Sequence, residues 1–217
     1  MKYDIILIDV DGTLTDPGDG VTASVAYALQ KLERPAMSRK QLERFIGPPI
    51  TYSFMTFAQL DPETAQLAIK YQREYYSAKG IYENRMYDGI PELLAKLKQN
   101  GAVISAATSK PEPFARRVIE HFGIAKYFDF IAGSNLDGSR IKKPEVIKYA
   151  LDSLGVTDKS RVVMIGDREH DAFGAAQNGI FSIGVTYGYG TREELETAGA
   201  GHIVDTVAEL GEYLMKN

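Results

Sequence analysis

A short apolar run that ends in two acids constrains the fold of this chain more than any other feature. Residues 5–8 read Ile-Ile-Leu-Ile, and Asp9-Val10-Asp11-Gly12 follows at once. Four apolar residues bounded by a turn signal predict a strand that is buried on both faces, as in a parallel sheet. Asp9 and Asp11 would then lie at the carboxyl end of that strand, where open α/β sheets place their ligand sites. Two carboxylates this close repel each other unless a cation or a proton lies between them.

The segment that follows this strand predicts only helices, from residue 16 to residue 82. Thr22 is expected to be the N-cap of the first helix. Ser38 and Gln41 form a capping-box pattern, and Asp61-Pro62 is a typical helix start with proline at the first helical position. This segment therefore predicts an all-helical insertion directly after the first strand.

Past residue 88 the pattern changes, because short apolar runs alternate with helical segments. Such alternation predicts a parallel sheet with right-handed crossovers. We therefore expect an α/β fold, a doubly wound parallel sheet built from residues 1–15 and 83–217, with residues 16–82 as an inserted all-helical cap domain. The further strands are expected at residues 102–107, 130–132, 162–165, 181–185 and 203–204.

Three more of the predicted elements carry polar groups at their ends. Thr108-Ser109 follows the strand at 102–107, where a hydroxyl and free N–H groups suit an anionic oxygen. Asp167 follows the strand at 162–165, and Asp171 would lie in the first turn of the next helix, where a carboxylate is favoured. Lys142-Lys143 stands at a helix N-terminus, where the dipole disfavours cations, so one of these lysines is expected to serve another site. Taken singly, Thr108 also fits an ordinary turn, and the lysines fit a solvated pair.

These residues together resemble the signatures of the haloacid dehalogenase superfamily. Asp-x-Asp-Gly-Thr-Leu-x-Asp, at residues 9–16, looks like the first signature, Thr108 looks like the second, and Lys143 before proline looks like the third. Gly-Asp-x-x-x-Asp, at residues 166–171, looks like the fourth. The order of elements also resembles superfamily members that carry a helical cap after the first strand.

The resemblance implies a Mg²⁺-dependent phosphatase that forms an aspartyl-phosphate. Asp9 would be the nucleophile and Asp11 the general acid and base, an acid that dehalogenases lack at this position. The implied Mg²⁺ ligands are the Asp9 and Asp167 side chains and the Asp11 backbone carbonyl, and Asp171 would support the site. The implied phosphate-binding groups are Gly12, Thr108, Ser109 and Lys143, with Lys142 as the alternative to Lys143.

The cap is expected to close over the core and choose the leaving group. Arg44, Gly47, Pro48 and Tyr52 are the candidate selection residues, although plain packing and helix termination are the favoured explanation for each of them. The Gly-Pro-Pro at residues 47–49 resembles the phosphoglycolate phosphatase subgroup. The stretches at 166–171 and 188–190 resemble bacterial members named 5′-nucleotidases. We therefore expect a phosphoglycolate phosphatase-like activity first, with a 5′-nucleotidase as the alternative. A phosphomutase of the same fold and a non-catalytic phosphate-binding or regulatory module are the other open alternatives.

Composition narrows the partners and the compartment. The chain has 217 residues with a net charge of −4, no cysteine, and 44% hydrophobic residues. The chain has no surplus of basic residues that would suggest binding to a nucleic acid polymer. No apolar run approaches the ~18 residues of a membrane span. We therefore expect a cytoplasmic protein that binds no nucleic acid polymer and no membrane. The resemblance implies that it acts on a small phosphorylated metabolite, and its oligomeric state, monomer or homodimer, is open.

Overall fold

The computed structural model of the protein describes residues 1–216. Within this range the chain forms eight strands and ten α-helices, with 3₁₀ turns at Gly80–Tyr82 and Ala125–Tyr127. The strands are β1 (Ile5–Ile8), β2 (Thr15–Asp16), β3 (Arg85–Met86), β4 (Val103–Pro111), β5 (Phe130–Ser134), β6 (Val162–Gly166), β7 (Phe181–Val185) and β8 (His202–Val204). The α-helices are α1 (Gly18–Lys31), α2 (Arg39–Glu43), α3 (Ile50–Phe57), α4 (Pro62–Ala78), α5 (Ile90–Gln99), α6 (Glu112–His121), α7 (Lys143–Ser153), α8 (Glu169–Gln177), α9 (Arg192–Thr197) and α10 (Val207–Met215).

Six strands form one sheet in the order β5-β4-β1-β6-β7-β8, and every neighbouring pair is parallel. The first strand lies in the middle, where Ile6 pairs with Ile104 on one side and Val163 on the other. Its residues are apolar and buried because helices cover such a sheet on both faces. The remaining two strands, β2 and β3, form a separate two-stranded sheet. The predicted fold class, a doubly wound parallel sheet with a helical insertion, is confirmed.

The strand order explains where the site lies. From β1 the chain adds β4 and β5 on one side, and then crosses to add β6, β7 and β8 on the other. Ligands of open α/β sheets bind at the carboxyl ends of the strands where the order reverses. Here that point lies at β1 and its two neighbours, so the residues that follow β1 and β6, and those at the end of β4, converge.

One face of the sheet fixes the helix that carries the candidate lysine. Leu7 of β1 and Met164 of β6 pack in a buried cluster with Val146 and Ile147 of α7. Full burial of each such side chain stabilises the fold by roughly 1.5–3 kcal/mol. The packing therefore anchors α7, which begins at Lys143, directly under the central strands.

The described chain divides into two compact units, one made of residues 1–16 and those from 86 onward, and one made of residues 17–85. The second unit contains α1 to α4. Its α1 and α4 are joined by a buried hydrogen bond, 3.0 Å long, that the Gln72 side-chain amide donates to the Ser24 hydroxyl. Aromatic rings complete its interior, with the Phe45 ring edge-on to both Phe54 and Phe57.

Two local expectations were wrong. Helix α1 begins at Gly18 rather than after Thr22, and the Thr22 hydroxyl instead donates to the Gly18 carbonyl at 2.6 Å inside the first turns. Strand β4 runs on to Pro111 rather than ending at residue 107, because after an irregularity it pairs again with Ser134 of β5. No helix in residues 1–216 has both the length and the apolar character that crossing a bilayer requires.

Candidate active site

Three buried carboxylates converge where β1 and β6 end. Asp9 follows β1, Asp167 follows β6, and Asp171 lies in the first turn of α8. One oxygen from each lies within 4.8 Å of the others. The three residues are only 4%, 1% and 3% exposed. Acids are almost never buried without a partner, so this cluster needs compensating positive charge.

Lys143 supplies one positive charge to this cluster. Its Nζ lies 3.0 Å from Asp9 Oδ2 and 2.8 Å from Asp171 Oδ1, and it donates to the Ala107 carbonyl at 3.1 Å. Burial acts to lower the pKa of Lys143, but attraction by Asp171 and Asp9 outweighs it and raises the pKa above its usual value. The ammonium therefore stays charged. Lys142, the alternative from the sequence, is exposed and caps α7.

The single positive charge of Lys143 does not balance three carboxylates. The raised pKa values of Asp167 and Asp171 reflect this excess of negative charge. Burial, followed by repulsion from Asp171 and Asp9, raises the pKa of Asp167 from 3.8 to about 8. Burial also raises the pKa of Asp171, to about 6, against the pull of Lys143. A divalent cation would balance this excess, and a set of carboxylate oxygens is the ligand type that Mg²⁺ prefers. The residues present therefore fit such an ion.

A close approach of two loops holds Asp167 in place. The Tyr189 N–H donates to Asp167 Oδ2 at 2.8 Å, and the Thr13 hydroxyl lies 3.4 Å from Oδ1. Gly12 has φ of +83°, and a Cβ there would overlap the Asp167 carboxylate. Its N–H donates to the Thr15 carbonyl at 2.7 Å within its own turn. Glycine is thus required at position 12, because the backbone is left-handed and Asp167 leaves no room for a Cβ. The role of Gly12 in phosphate binding stays a prediction.

Asp11 lies in a separate environment with its own lysine. Lys110 Nζ lies 2.7 Å from Asp11 Oδ2, and the two side chains are 4% and 14% exposed. Among residues 1–216, nothing donates a hydrogen bond to the buried Asp11 Oδ1. Burial raises the pKa of Asp11, although Lys110 acts to lower it. Lys110 was not predicted as a site residue. The sequence signal for it is its position two residues after Thr108, at a strand end.

Thr108 and Ser109 line the end of β4. Thr108 is buried, and its hydroxyl accepts the Lys110 N–H at 3.2 Å. The Ser109 carbonyl accepts the Ser134 hydroxyl at 2.8 Å, which ties this turn to the end of β5. Both residues follow Ala107, whose carbonyl accepts from Lys143, and their roles in binding phosphate stay predictions.

Two tyrosines after β7 were missed as structural supports of the site. The Tyr189 hydroxyl donates to Asp16, and the Tyr187 hydroxyl donates to the Thr13 carbonyl at 3.1 Å. The loop at 187–189 thus binds the segment that follows Asp9 as well as Asp167. Only the resemblance of residues 188–190 to nucleotidases pointed to this loop.

The four candidate selection residues lie in the helical unit, and two of them contact the same aromatic ring. The Arg44 guanidinium stacks 4.1 Å from the Phe57 ring centroid, and Tyr52 meets the same ring edge-on. Tyr52 is exposed, Pro48 is buried, and Gly47 has φ of +100°. Their contacts explain packing and turning of the chain, so a role in substrate selection stays a prediction.

The fold and this site define an α/β protein that gathers buried carboxylates and lysines at the carboxyl edge of its sheet. A family model described as haloacid dehalogenase-like hydrolase matches residues 6–185. A 5′-nucleotidase from Pseudomonas aeruginosa is 44% identical over 216 residues, covering 99% of this chain and 96% of that protein. Tyrosine-protein kinase PtkA from Mycobacterium tuberculosis is 38% identical over 212 residues, covering 97% of this chain and 72% of that protein.

More distant and structural relatives agree with this class. A phosphoglycolate phosphatase from Vibrio parahaemolyticus is 27% identical over 218 residues, covering 97% of this chain and 95% of that protein. The crystal structure of a predicted phosphatase from Clostridium acetobutylicum has a TM-score of 0.95 at 47% identity, covering 99% of both chains. The chain belongs to the haloacid dehalogenase-like hydrolase family. It is a phosphoric monoester hydrolase, as its sequence predicted.

Proposed function

We propose that the protein is a Mg²⁺-dependent phosphatase that hydrolyses a small-molecule phosphate monoester through an aspartyl-phosphate on Asp9. One observation carries this proposal. Three buried carboxylates, of Asp9, Asp167 and Asp171, lie together with a single lysine, and Lys143 Nζ lies 3.0 Å from Asp9 Oδ2. Such a site favours a cation and an incoming phosphoryl group over an apolar ligand.

The Asp9 and Asp167 side chains and the Asp11 backbone carbonyl would hold Mg²⁺. When bound, the ion would draw negative charge from the phosphoryl oxygens and so ease nucleophilic attack. Asp171 would then keep Lys143 in place, since their charged atoms lie 2.8 Å apart.

In the first step an Asp9 carboxylate oxygen attacks phosphorus, and the bond from phosphorus to the leaving oxygen breaks. Asp11 gives its proton to that oxygen, which departs as an alcohol. Thr108, the Ser109 N–H and Lys143 stabilise the charge on the transferring group. In the second step Asp11 takes a proton from water, the water oxygen attacks phosphorus, and the bond to Asp9 breaks to release inorganic phosphate. Each positioned acid or base contributes about 10²–10⁴-fold in such reactions.

For the substrate we favour a nucleoside 5′-monophosphate, with phosphoglycolate second. The sequence alone had favoured phosphoglycolate over a nucleoside 5′-monophosphate. The 44% identity to a 5′-nucleotidase, against 27% to a phosphoglycolate phosphatase, supports the change. The helical unit at 17–85 would act as the cap, with Arg44, Gly47, Pro48 and Tyr52 as its candidate selection residues.

Two other phosphoryl-transfer activities give different products. A phosphomutase would convert a sugar phosphate without releasing phosphate. The relative named a tyrosine-protein kinase makes transfer to a protein acceptor a further candidate, and this activity would label protein from ATP. Release of inorganic phosphate, with neither of these products, separates the phosphatase from both.

The test is a panel of phosphate esters, including nucleoside monophosphates and phosphoglycolate, with phosphate release measured with and without MgCl₂. We expect Mg²⁺-dependent release with para-nitrophenyl phosphate and with at least one nucleoside monophosphate. Asp9→Asn should abolish turnover because an amide cannot act as the nucleophile. Asp152→Asn is the matched control, since Asp152 forms an exposed pair with Lys148 and should keep full activity. Wild-type activity in the Asp9 variant would reject the nucleophile assignment.

A further inference from the structure

Two acids follow β1, Asp9 and Asp11, and only Asp9 belongs to the buried carboxylate cluster. Asp9 shares Lys143 with Asp171, whereas Asp11 has a buried partner of its own, Lys110. We propose that Lys110 is a positioning residue. It holds Asp11 by Oδ2, so that Oδ1 is the oxygen that carries the proton to the leaving group. This inference rests on the proposed function, in which Asp11 is the general acid.

The two Asp11 oxygens have different surroundings, and this difference carries the inference. Oδ2 lies 2.7 Å from Lys110 Nζ. Oδ1 is buried, and no group in residues 1–216 donates to it. A buried polar atom without a partner is unfavourable and asks for an explanation. The arrangement is explained if Oδ1 gains its hydrogen-bond partner only when substrate enters.

The fold makes a specific provision for Lys110. Strand β4 pairs regularly with β5 up to Ala107 and again only at Pro111, so residues 108–110 lie in an irregularity of the ladder. Such irregularities re-aim side chains and are frequent beside active sites. The facing residue is Gly133, where a Cβ would lie 2.5 Å from the Glu112 Cα and 2.8 Å from the Lys110 carbonyl oxygen. Glycine there gives the irregular segment the room that it needs.

Burial distinguishes this pair, like the two pairs that Lys143 forms, from the exposed lysine–aspartate pairs of the molecule. Lys98 and Asp129 also lie 2.7 Å apart, but their side chains are 29% and 40% exposed. Exposed pairs of this kind contribute little, whereas a lysine must lose its water to pair inside the protein. Burying Lys110 is thus costly, and holding a catalytic carboxyl in one orientation is a role that offsets the cost.

A positioned proton donor matters only when the leaving group needs a proton. A nitrophenolate departs as the anion, whereas an alkoxide does not. Removing Lys110 should therefore slow hydrolysis of alkyl phosphates more than that of aryl phosphates. A residue that merely supports the fold would slow both alike.

The experiment compares kcat/KM for para-nitrophenyl phosphate and glycerol 2-phosphate, each with MgCl₂, in the wild type, Lys110→Met, Asp11→Asn and the double variant. This ratio covers only the steps up to departure of the leaving group, whereas kcat also contains the hydrolysis of the aspartyl-phosphate, in which Asp11 serves both esters alike. We expect Lys110→Met to lower kcat/KM about 10²-fold for the alkyl ester, the size of effect that misplacing a catalytic group by an ångström has. The loss for the aryl ester should be below about fivefold. On the Asp11→Asn background, Lys110→Met should cause no further selective loss, because it acts through Asp11. Lys98→Met is the control and should change neither rate.

Each contrary result has a definite meaning. Equal losses for both esters in Lys110→Met, or a further alkyl-selective loss on the Asp11→Asn background, would overturn the positioning role. If Asp11→Asn itself lowers kcat/KM equally for both esters, the general-acid assignment fails and this inference fails with it. Should Lys110→Met not fold, the double variant lacks the unpaired buried carboxylate, and an alkyl-selective loss relative to Asp11→Asn would still overturn the positioning role. Lys110→Gln, whose amide can still donate to Asp11 Oδ2, then supplies the positive test: it should lose less kcat/KM for the alkyl ester than Lys110→Ala.

Discussion

Replacing Asp167 by asparagine should change how the stability of the metal-free protein depends on pH. In the folded protein burial raises the pKa of this carboxyl from 3.8 to about 8, with repulsion from Asp171 and Asp9 adding to the effect. In the unfolded chain the same carboxyl ionises near its ordinary value. Between these two values the folded state binds one proton more than the unfolded state. Its stability therefore falls as pH rises through that window.

The magnitude follows from the width of the window. A proton bound only by the folded state changes the free energy of unfolding by roughly 1.4 kcal/mol per pH unit. From pH 6 to pH 8 the slope weakens as the folded carboxyl itself ionises, which leaves a loss of about 2 kcal/mol. Asparagine has no proton to lose. The wild type should thus lose about 2 kcal/mol relative to Asp167→Asn over these two pH units.

Urea unfolding in EDTA at pH 6, 7 and 8 measures this difference, because groups remote from Asp167 titrate alike in both proteins and cancel. Asp129→Asn is the matched control. Although partial burial opposes it, Lys98 keeps the pKa of Asp129 below its usual range, so that carboxyl is ionised throughout. This control should show the wild-type pH dependence. Parallel curves for wild type and Asp167→Asn would refute the account of the carboxylate cluster.

Adding MgCl₂ extends the same test. The proposed Mg²⁺ site uses the ionised carboxylate, so the ion should stabilise the wild type more at pH 8 than at pH 6. The variant offers one carboxylate fewer and should gain less at both values. A pH-independent gain, equal in the two proteins, would mean that Mg²⁺ does not use Asp167.

Two further substitutions probe the close contacts of the site. Gly12→Ala should lower the free energy of unfolding by about 1–2 kcal/mol, because alanine disfavours the left-handed backbone at this position. It should also raise the Mg²⁺ concentration needed for half-maximal activity, because its Cβ overlaps Asp167. Gly101→Ala, with φ of +83° and nothing within 4 Å of its Cβ, should show the stability loss alone in the same unfolding and Mg²⁺ titrations. Lys143→Met should cost about 3–5 kcal/mol in urea unfolding and abolish phosphate release, because it leaves Asp9 and Asp171 buried without their cation. Lys148→Met, at an exposed pair, should change stability by less than about 0.5 kcal/mol.

The residues that the sequence located are those whose signal is local. Asp9 and Asp167 each follow a run of buried apolar residues, and Lys143 stands where a helix dipole disfavours it. Parallel strands bring such ends to one edge of the sheet, so their convergence could be expected before any coordinates existed. The roles of these residues in catalysis are still predictions, since only their positions are given by the fold.

The residues that the sequence did not locate depend on contacts between distant segments. Tyr189 donates to Asp16 across 173 positions of the chain, and no spacing rule relates the two residues. Lys110 depends on an irregularity of β4 that only the partner strand defines, and the apolar pattern ended that strand at residue 107. The prediction of Thr22 as an N-cap was wrong for another reason. A threonine can also lie inside a helix, because its hydroxyl donates to a carbonyl one turn earlier.

The pairing of each acid with a different lysine bears on how one short motif serves two purposes. Asp9 and Asp11 are two residues apart, and in water identical carboxylates would behave alike. Lys143, from α7, lies 3.0 Å from Asp9 Oδ2 and holds Asp9 beside the other acids, as the proposed nucleophile and metal ligand must be. Lys110, from β4, engages one oxygen of Asp11 and leaves the other without a donor, as the proposed proton carrier requires. The difference between the two acids is therefore made outside the motif, by two lysines that the sheet brings to it from separate elements.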